Sequence, residues 1–183
     1  MPAADEPLAT PDPVPGGRAG GRRPPILATA LLFLGCLAAF ALLLEWPAAE
    51  AVIVDPITRL QARLAGALLR LAGSGVNVDG TSLVRGGFTM NVRNGCNGVY
   101  ALSIFLAAIL AYPSRWREKA AGAIGGGAVL LAGNLARILS LYLVGVRFPD
   151  QLEWFHLYFW QTGMAVLALG VWFWWENRWV RHA

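Results

Sequence analysis

Apolar runs long enough to cross a membrane alternate with short polar segments along most of the chain. The first run covers residues 26–44 and contains no charged side chain. As a helix these nineteen residues would extend about 28 Å, close to the roughly 30 Å hydrocarbon core of a bilayer. Three later runs predict further spans over about 97–112, 119–145 and 156–175. The pattern therefore predicts an all-α integral membrane protein with about four transmembrane helices.

The segment between the first two spans, residues 45–95, carries two shorter patterns. Asp55 followed by Pro56 predicts a helix start, and Gly73 predicts its end. Within that helix one stripe is apolar and another is basic, which predicts an amphipathic helix on the membrane surface. The apolar stripe is Ile57, Leu60, Leu64, Leu68 and Leu71, and the basic stripe is Arg59, Arg63 and Arg70. Alternation over residues 76–93, with glycine-containing turns, predicts a small external β-hairpin segment.

The N-terminal residues 1–25 hold seven of the eleven prolines and almost no large apolar side chain. Such a segment cannot bury enough surface to offset the entropy of ordering, so it is predicted to be a disordered tail. A cleaved signal peptide is the alternative, since Ala49-Glu50-Ala51 faintly resembles a cleavage site. An apolar run of nineteen residues exceeds the usual length of roughly 7–15, which favours a retained span.

Composition supports the membrane assignment and charge gives its orientation. Apolar residues make up 56% of the chain and charged residues only 14%, well below a soluble domain. The net charge of +4 is scattered, so a nucleic-acid partner is not expected. Basic residues flank the inner ends of the predicted spans and outnumber those on the other side by eight to six. The positive-inside rule then places both termini, including residues 179–183, in the cytoplasm and residues 45–95 outside an inner membrane.

Three reactive side chains reach one depth. Counted from predicted inner-interface residues, they lie 16, 18 and 19 positions away, or about 24, 27 and 28 Å along a helix. The markers are Tyr112, Lys119 and Trp175, and the side chains are Cys96, Arg137 and His156 respectively. Residues 96–178 are therefore predicted to form a three-helix catalytic core whose site lies at the outer edge of the bilayer.

Each of these residues also has a simpler explanation. Cys96 lies among small and polar neighbours before a helix, whose N-terminus favours the thiolate form, whereas Cys36 lies in an apolar run and is predicted to pack. Arg137 is costly in an apolar helix unless it has a partner or a cavity, although snorkelling to headgroups is the alternative. Asn134, one turn away, is positioned to orient it. His156 lies in an aromatic interfacial stretch, where a histidine also serves as an anchor.

Other singled-out residues are assigned structural roles. His182, next to the C-terminus, is predicted to be solvated and unimportant. Three glycines of the third span are predicted to allow close helix packing; they are Gly122, Gly126 and Gly133. Neither a disulfide, a metal site nor a cofactor is predicted from the two cysteines and their surroundings.

A thiolate, an imidazole and a guanidinium suit acyl transfer at a peptide bond. With these residues the chain resembles the exosortase and archaeosortase family, most closely its compact exosortase H branch. The resemblance covers residues 50–175 and rests on Gly95-Cys96-Asn97-Gly98, on Asn134-Leu135-Ala136-Arg137 and on His156. It implies a cysteine transpeptidase or protease that cleaves a C-terminal sorting signal on a membrane-anchored protein. That signal comprises a short motif, a membrane span and a basic cluster.

Under this resemblance Cys96 is the nucleophile, His156 the general acid and base, and Arg137 the oxyanion or substrate stabiliser. Asn97 departs from the serine that often follows the cysteine in the family, and the chain is shorter than many members. Two other classes stay open: a non-enzymatic membrane subunit or small transporter in which Arg137 binds an anion, and a thiol acyltransferase acting on lipid or sugar. The recognition motif, the acceptor and the oligomeric state do not follow from the sequence.

Overall fold

The computed structural model describes residues 26–93 and 95–180. The predicted disordered tail over 1–25 and the predicted solvated His182 lie outside the described residues. Asn94 lies outside them as well. The five main helices are α1 (Ile26–Leu44), α2 (Asp55–Leu71), α3 (Val99–Ala111), α4 (Trp116–Arg147) and α5 (Trp160–Trp175). The three strands are β1 (Asn77–Asp79), β2 (Ser82–Arg85) and β3 (Phe88–Asn91).

Shorter helical turns extend α2 and α5. Pro47–Ala49 and the π-helical turn Glu50–Val54 lead directly into α2. The 3₁₀ turn Pro149–Gln151, the α turn Leu152–Trp154 and the π-helical turn Phe155–Phe159 lead into α5, and the π-helical turn Glu176–Val180 follows it.

The prediction of an all-α membrane protein is confirmed, with one of the spans shorter than expected. Three helical stretches are long and apolar enough to cross a bilayer: Ile26–Leu44, Trp116–Arg147 and Pro149–Val180. The predicted span over 97–112 is the helix α3, whose 13 residues cover only about 20 Å. Gly98 has a left-handed backbone at its start (φ +78°), and extended Tyr112 precedes Pro113 at its end.

The helix α3 lies at the centre of the bundle, in contact with α1, α4 and α5. Small residues of α4 let the large side chains of its neighbours approach. A Cβ atom on Gly122 would lie 2.4 Å from Nε1 of Trp175, and one on Gly126 would lie 2.2 Å from Cζ of Phe105. A Cβ atom on Gly133 would likewise collide with the side chain of Leu167. The predicted packing role of the three glycines is therefore confirmed.

The amphipathic helix α2 has three faces. The four leucines of the apolar stripe are exposed on the protein surface, with Leu64 and Leu68 each 44% accessible. The basic stripe is also exposed. A third face, which the pattern analysis did not separate, is buried against the sheet and α4 and consists mainly of small or polar residues. Its members are Thr58, Gln61, Ala62, Ala65, Gly66 and Leu69.

The regular α-helix begins at Asp55, as predicted, but Asp55 is not where the helical backbone starts, because other helical turns precede it. Helical backbone already begins at Pro47, which takes the first turn after the extended residue Trp46. The π-helical turn Glu50–Val54 comes directly before Pro56. Because Pro56 has no N–H to donate within the helix, the regular α-helical bond pattern is interrupted there.

The sheet is antiparallel with strand order β1-β2-β3, so β3 is an edge strand. Tight turns at Gly80 and Gly86, with φ values of +58° and +56°, connect the strands, as the sequence predicts. Phe88 makes an edge-to-face contact with Tyr142 of α4 at 5.8 Å between ring centroids. The sheet is thereby fixed against the C-terminal half of α4, next to the start of α3.

Candidate active site

A tight elbow carries Cys96 between β3 and α3. Gly95 and Gly98 both have left-handed backbone conformations, with φ values of +88° and +78°, which favour glycine. The backbone N–H of Cys96 donates to the carbonyl of Arg93 at 2.9 Å. A Cβ atom on Gly98 would approach Asn134 to 3.0 Å, so only glycine lets the elbow lie this close to α4.

Cys96 and His156 are in direct contact. The Sγ atom of Cys96 lies 2.9 Å from Nε2 of His156, and both side chains are partly buried. His156 lies in the π-helical turn Phe155–Phe159, an irregularity that often occurs at functional sites. The structure thus brings together two residues that are 60 positions apart, within reach of proton transfer.

Arg137 lies beside this pair, on α4. Arg137 is only 4% exposed, and its charge lies within electrostatic range of both Cys96 and His156. Its Nε atom has no hydrogen-bond partner among the described residues. Arg137 is therefore buried within electrostatic range of the thiol and the imidazole, whereas a side chain that snorkels to the headgroups would be exposed.

Asn134 contacts the nucleophile's backbone. It is fully buried, and its Nδ2 donates to the carbonyl oxygen of Cys96 at 3.1 Å. Its Oδ1 has no partner among the described residues. The sequence suggested that Asn134 orients Arg137, whereas the hydrogen bond seen here holds the elbow.

Asn97 connects the elbow to α2. Its Oδ1 accepts a hydrogen bond from the N–H of Val99 at 3.1 Å, and its Nδ2 donates to Oγ1 of Thr58 at 2.8 Å. Thr58 in turn donates to the carbonyl of Val54 at 2.7 Å. Sequence reasoning missed Thr58, although a polar residue on the small-residue face of a helix between leucine and arginine stripes is a usable signal.

A cavity of about 630 Å³ opens beside Cys96 and His156. Its walls come from β3, from the C-terminal half of α4 and from the turns that begin at Pro149. The lining residues are Thr89, Met90, Asn91, Val92, Arg93, Cys96, Ile138, Leu141, Pro149, Leu152, Glu153 and His156. The thiol therefore faces a space large enough for a segment of peptide.

The remaining chemistry of the described residues is simple. Cys36 and Cys96 are both free thiols. Within residues 26–93 and 95–180, no three His, Cys, Asp or Glu side chains are grouped so as to hold a metal ion. The arrangement offers a nucleophile, a proton acceptor and a cation.

Fold and site together define a multi-pass membrane protein with a cysteine–histidine pair at one end of its helix bundle. Residues 20–174 match the family model described as transmembrane exosortase (Exosortase_EpsH). The chain therefore belongs to the transmembrane exosortase family, as its motifs predict; the narrower likeness to the compact exosortase H branch stays a resemblance. No curated protein and no solved structure matches the chain.

Proposed function

We propose that this protein is a membrane-embedded cysteine transpeptidase or protease that cleaves the C-terminal sorting signal of membrane-anchored proteins. The signal would comprise a short motif, a transmembrane span and a basic cluster. The observation that carries the proposal is the 2.9 Å contact between Cys96 Sγ and His156 Nε2 beside the buried Arg137. Membership of the exosortase family supports the same reaction class.

The first step forms a covalent bond to sulfur. Nε2 of His156 takes the thiol proton while Sγ of Cys96 attacks the carbonyl carbon of the scissile peptide bond. Negative charge moves to the carbonyl oxygen of the tetrahedral intermediate. The guanidinium of Arg137, buried beside the pair, stabilises that charge far more than a solvent-exposed cation would.

The second step breaks the peptide bond. The oxyanion collapses, the C–N bond cleaves, and His156 gives its proton to the leaving amine. A thioester then links Cys96 to the N-terminal part of the substrate. An acceptor amine completes transfer, or water completes hydrolysis, after His156 removes a proton from the attacking group.

Asn97 and Asn134 are positioning residues in this scheme. One fixes the first turn of α3 to Thr58, and the other holds the Cys96 carbonyl. Both are fully buried, so the elbow is held by bonds that water does not compete for. The thiol is consequently presented to His156 without further reorganisation.

The proposed location is the inner membrane, with both termini in the cytoplasm and the site on the outer face. The basic loop Arg115, Arg117 and Lys119 supports this orientation, because positive charge is retained on the cytoplasmic side. The cavity with Cys96 lies at the opposite end of α4 from that loop.

An impermeant maleimide added to intact cells tests the orientation and the reactivity of the thiol together. In a Cys36→Ala background, Cys96 is expected to be labelled, and a cysteine placed by Ser114→Cys in a Cys36→Ala, Cys96→Ala chain is not. Labelling of Cys96 is expected to slow in His156→Gln, because the imidazole no longer accepts the thiol proton.

Two results would contradict the proposal. External labelling at position 114 would overturn the orientation. Labelling of Cys96 that is independent of His156, or that does not occur at all, would favour a non-enzymatic membrane subunit in which Cys96 only packs.

A further inference from the structure

The edge strand β3 lines the cavity that contains Cys96. Its residues pair with β2 on one side only, through the register Ser82–Asn91, Leu83–Met90, Val84–Thr89 and Arg85–Phe88. Thr89, Met90 and Asn91 of β3, and Val92 directly after it, form one wall of the cavity. The other side of the strand therefore borders the space into which the thiol opens.

The register shows which backbone groups point into that space. The N–H of Val92 donates to the carbonyl of Thr81 at 3.0 Å, so position 92 faces β2. In an antiparallel pair the bonding direction alternates from residue to residue. Positions 90 and 88 then face β2 as well, while the N–H and C=O groups of Thr89 and Asn91 point toward the cavity.

The side chains of β3 leave that edge accessible. Phe88, Met90 and Val92 pack into the core cluster formed with α2 and α4. Thr89 and Asn91 are exposed on the opposite face of the strand. Among the described residues, no strand pairs with the N–H and C=O groups on this side of β3, and such an edge is a template for another extended chain.

We infer that β3 is the docking strand for the peptide substrate, which pairs through its main chain with Thr89 and Asn91 and thereby reaches Cys96. The inference rests on the proposed function, since it assigns the recognition mode of that site. The occupant is an extended peptide segment next to the scissile bond. Strand addition of this kind obtains affinity from backbone hydrogen bonds and specificity from alternate side chains.

The dimensions agree with a short recognition motif. The four residues of β3 span about 14 Å, the length of a four-residue extended segment. Alternate substrate side chains would then lie over the cavity walls. Arg93 and Glu153, of opposite charge, are both exposed at that surface and are positioned to discriminate charged substrate residues.

Peptidyl chloromethyl ketones test the docking without a known natural substrate. Cys96 displaces chloride from such reagents, so its alkylation rate reports how well the peptide part binds. The full-length Cys36→Ala protein in detergent is treated with acetyl-Ala-Val-Ala-Val-chloromethyl ketone and with acetyl-Val-chloromethyl ketone. We expect the tetrapeptide to react at least about tenfold faster, equivalent to about 1.4 kcal/mol.

Thr89→Pro removes one cavity-facing N–H and leaves the bonds to β2 intact, since proline is tolerated at outward positions of edge strands. It should bring the rate ratio of the two reagents close to one. The matched variant Thr89→Val keeps the N–H and should retain the ratio. Iodoacetamide, which has no peptide part, checks that the site of each variant stays intact.

N-methylated tetrapeptide reagents on the Thr89-containing protein give a second test that does not depend on folding of the proline variant. Methylation of alternate amides should reduce the rate, and methylation of the intervening amides should not. The docking strand would be overturned if the long and short reagents reacted at equal rates, or if the effect of N-methylation did not alternate between successive amides. If the peptide reagents show no docking but substrate processing still depends on Cys96, the docking strand is wrong and the proposed function stands. If the reagents dock but Cys96 processes no substrate, the proposed function is wrong and the docking strand stands.

Discussion

The buried polar side chains at the two ends of the helix bundle bond to different parts of the molecule. At the end away from the site, Tyr112 donates to Glu176 at 2.9 Å, and Nε1 of Trp175 donates to the carbonyl of Glu118 at 2.8 Å. The backbone N–H of Arg115 donates to the Glu118 carboxylate at 2.9 Å. At the site end, Asn134 donates to the carbonyl of Cys96, and Asn97 donates to Thr58. Among the described residues, partnerless buried polar atoms occur at both ends: Nε of Arg137 and Oδ1 of Asn134 at the site, and Oγ of Ser114 and Nε1 of Trp172 at the loop.

We call the bonds at the loop end, from Tyr112 to Glu176 and from Trp175 to Glu118, the clamp. Bonds between α3, α4 and α5 at the loop end fix the helices relative to one another. At the site end, the bonds to Cys96 and Asn97 fix the elbow to α4 and α2, while Arg137 keeps an unpaired donor and Asn134 an unpaired acceptor among the described residues. Burying an unpaired donor is costly, and Nε of Arg137 is the unpaired donor that the proposed reaction would use.

The largest effect is expected at Arg137. Arg137→Lys keeps the charge but loses the planar group with several donors. Loss of one oxyanion donor typically costs a hundredfold to a thousandfold in turnover, so processing should slow at least about tenfold. The rate of C-terminal loss from a co-expressed substrate measures this.

The matched control is Arg147→Lys, at the exposed end of the same helix, which should be silent. Expression and external labelling of Cys96 must be unchanged in both variants. Near-normal processing by well-expressed Arg137→Lys would make Arg137 an interfacial anchor.

A smaller effect is expected at Thr58, which acts through Asn97. Thr58→Val keeps the shape but leaves the buried amide of Asn97 without its acceptor, at a cost of about 1–3 kcal/mol. We expect a several-fold fall in kcat with little change in KM, and slower maleimide labelling of Cys96. Thr58→Ser restores the hydroxyl and should rescue both.

A loss in Thr58→Ser with none in Thr58→Val would show that the methyl group, and not the hydrogen bond, matters. An unchanged labelling rate in Thr58→Val would remove Thr58 from the positioning of the elbow.

The smallest effect on activity is expected at the clamp. Tyr112→Phe removes the hydroxyl that donates to Glu176, and a typical hydrogen bond contributes about 0.5–1.5 kcal/mol. The thermal midpoint in detergent should fall by a few degrees while processing at moderate temperature stays near normal. Tyr158→Phe, at an exposed position, is the control. A large loss of turnover at normal stability would show that the two ends are coupled.

The sequence predicted much of the site because membrane depth is simple to count. Helical rise and belt residues placed Cys96, Arg137 and His156 at one level, and the structure brings the three side chains together. Their roles stay predictions until tested. Depth gives no information about rotation around each helix, so it did not show whether Asn134 bonds to Arg137 or to the elbow.

Features that depend on tertiary packing could not be predicted from the sequence. The polar third face of α2 was hidden because leucine and arginine stripes dominate its periodicity, yet Thr58 and Gln61 are both buried there. Alternation predicted strands but not their order, so β3 as the edge strand beside Cys96 was not foreseeable. The helix α3 is shorter than predicted because the left-handed backbone of Gly98 and the extended backbone of Tyr112 lie just inside the predicted bounds.

Direct detection of a thioester on Cys96 tests the central claim. The Cys36→Ala protein is co-expressed with membrane-anchored proteins that carry a C-terminal motif, span and basic cluster, then analysed by intact mass. The account predicts an adduct equal in mass to the N-terminal substrate fragment, located on Cys96 and released by hydroxylamine. Cys96→Ala should show neither adduct nor cleavage. Cleavage of substrate by the Cys96→Ala protein would contradict the account.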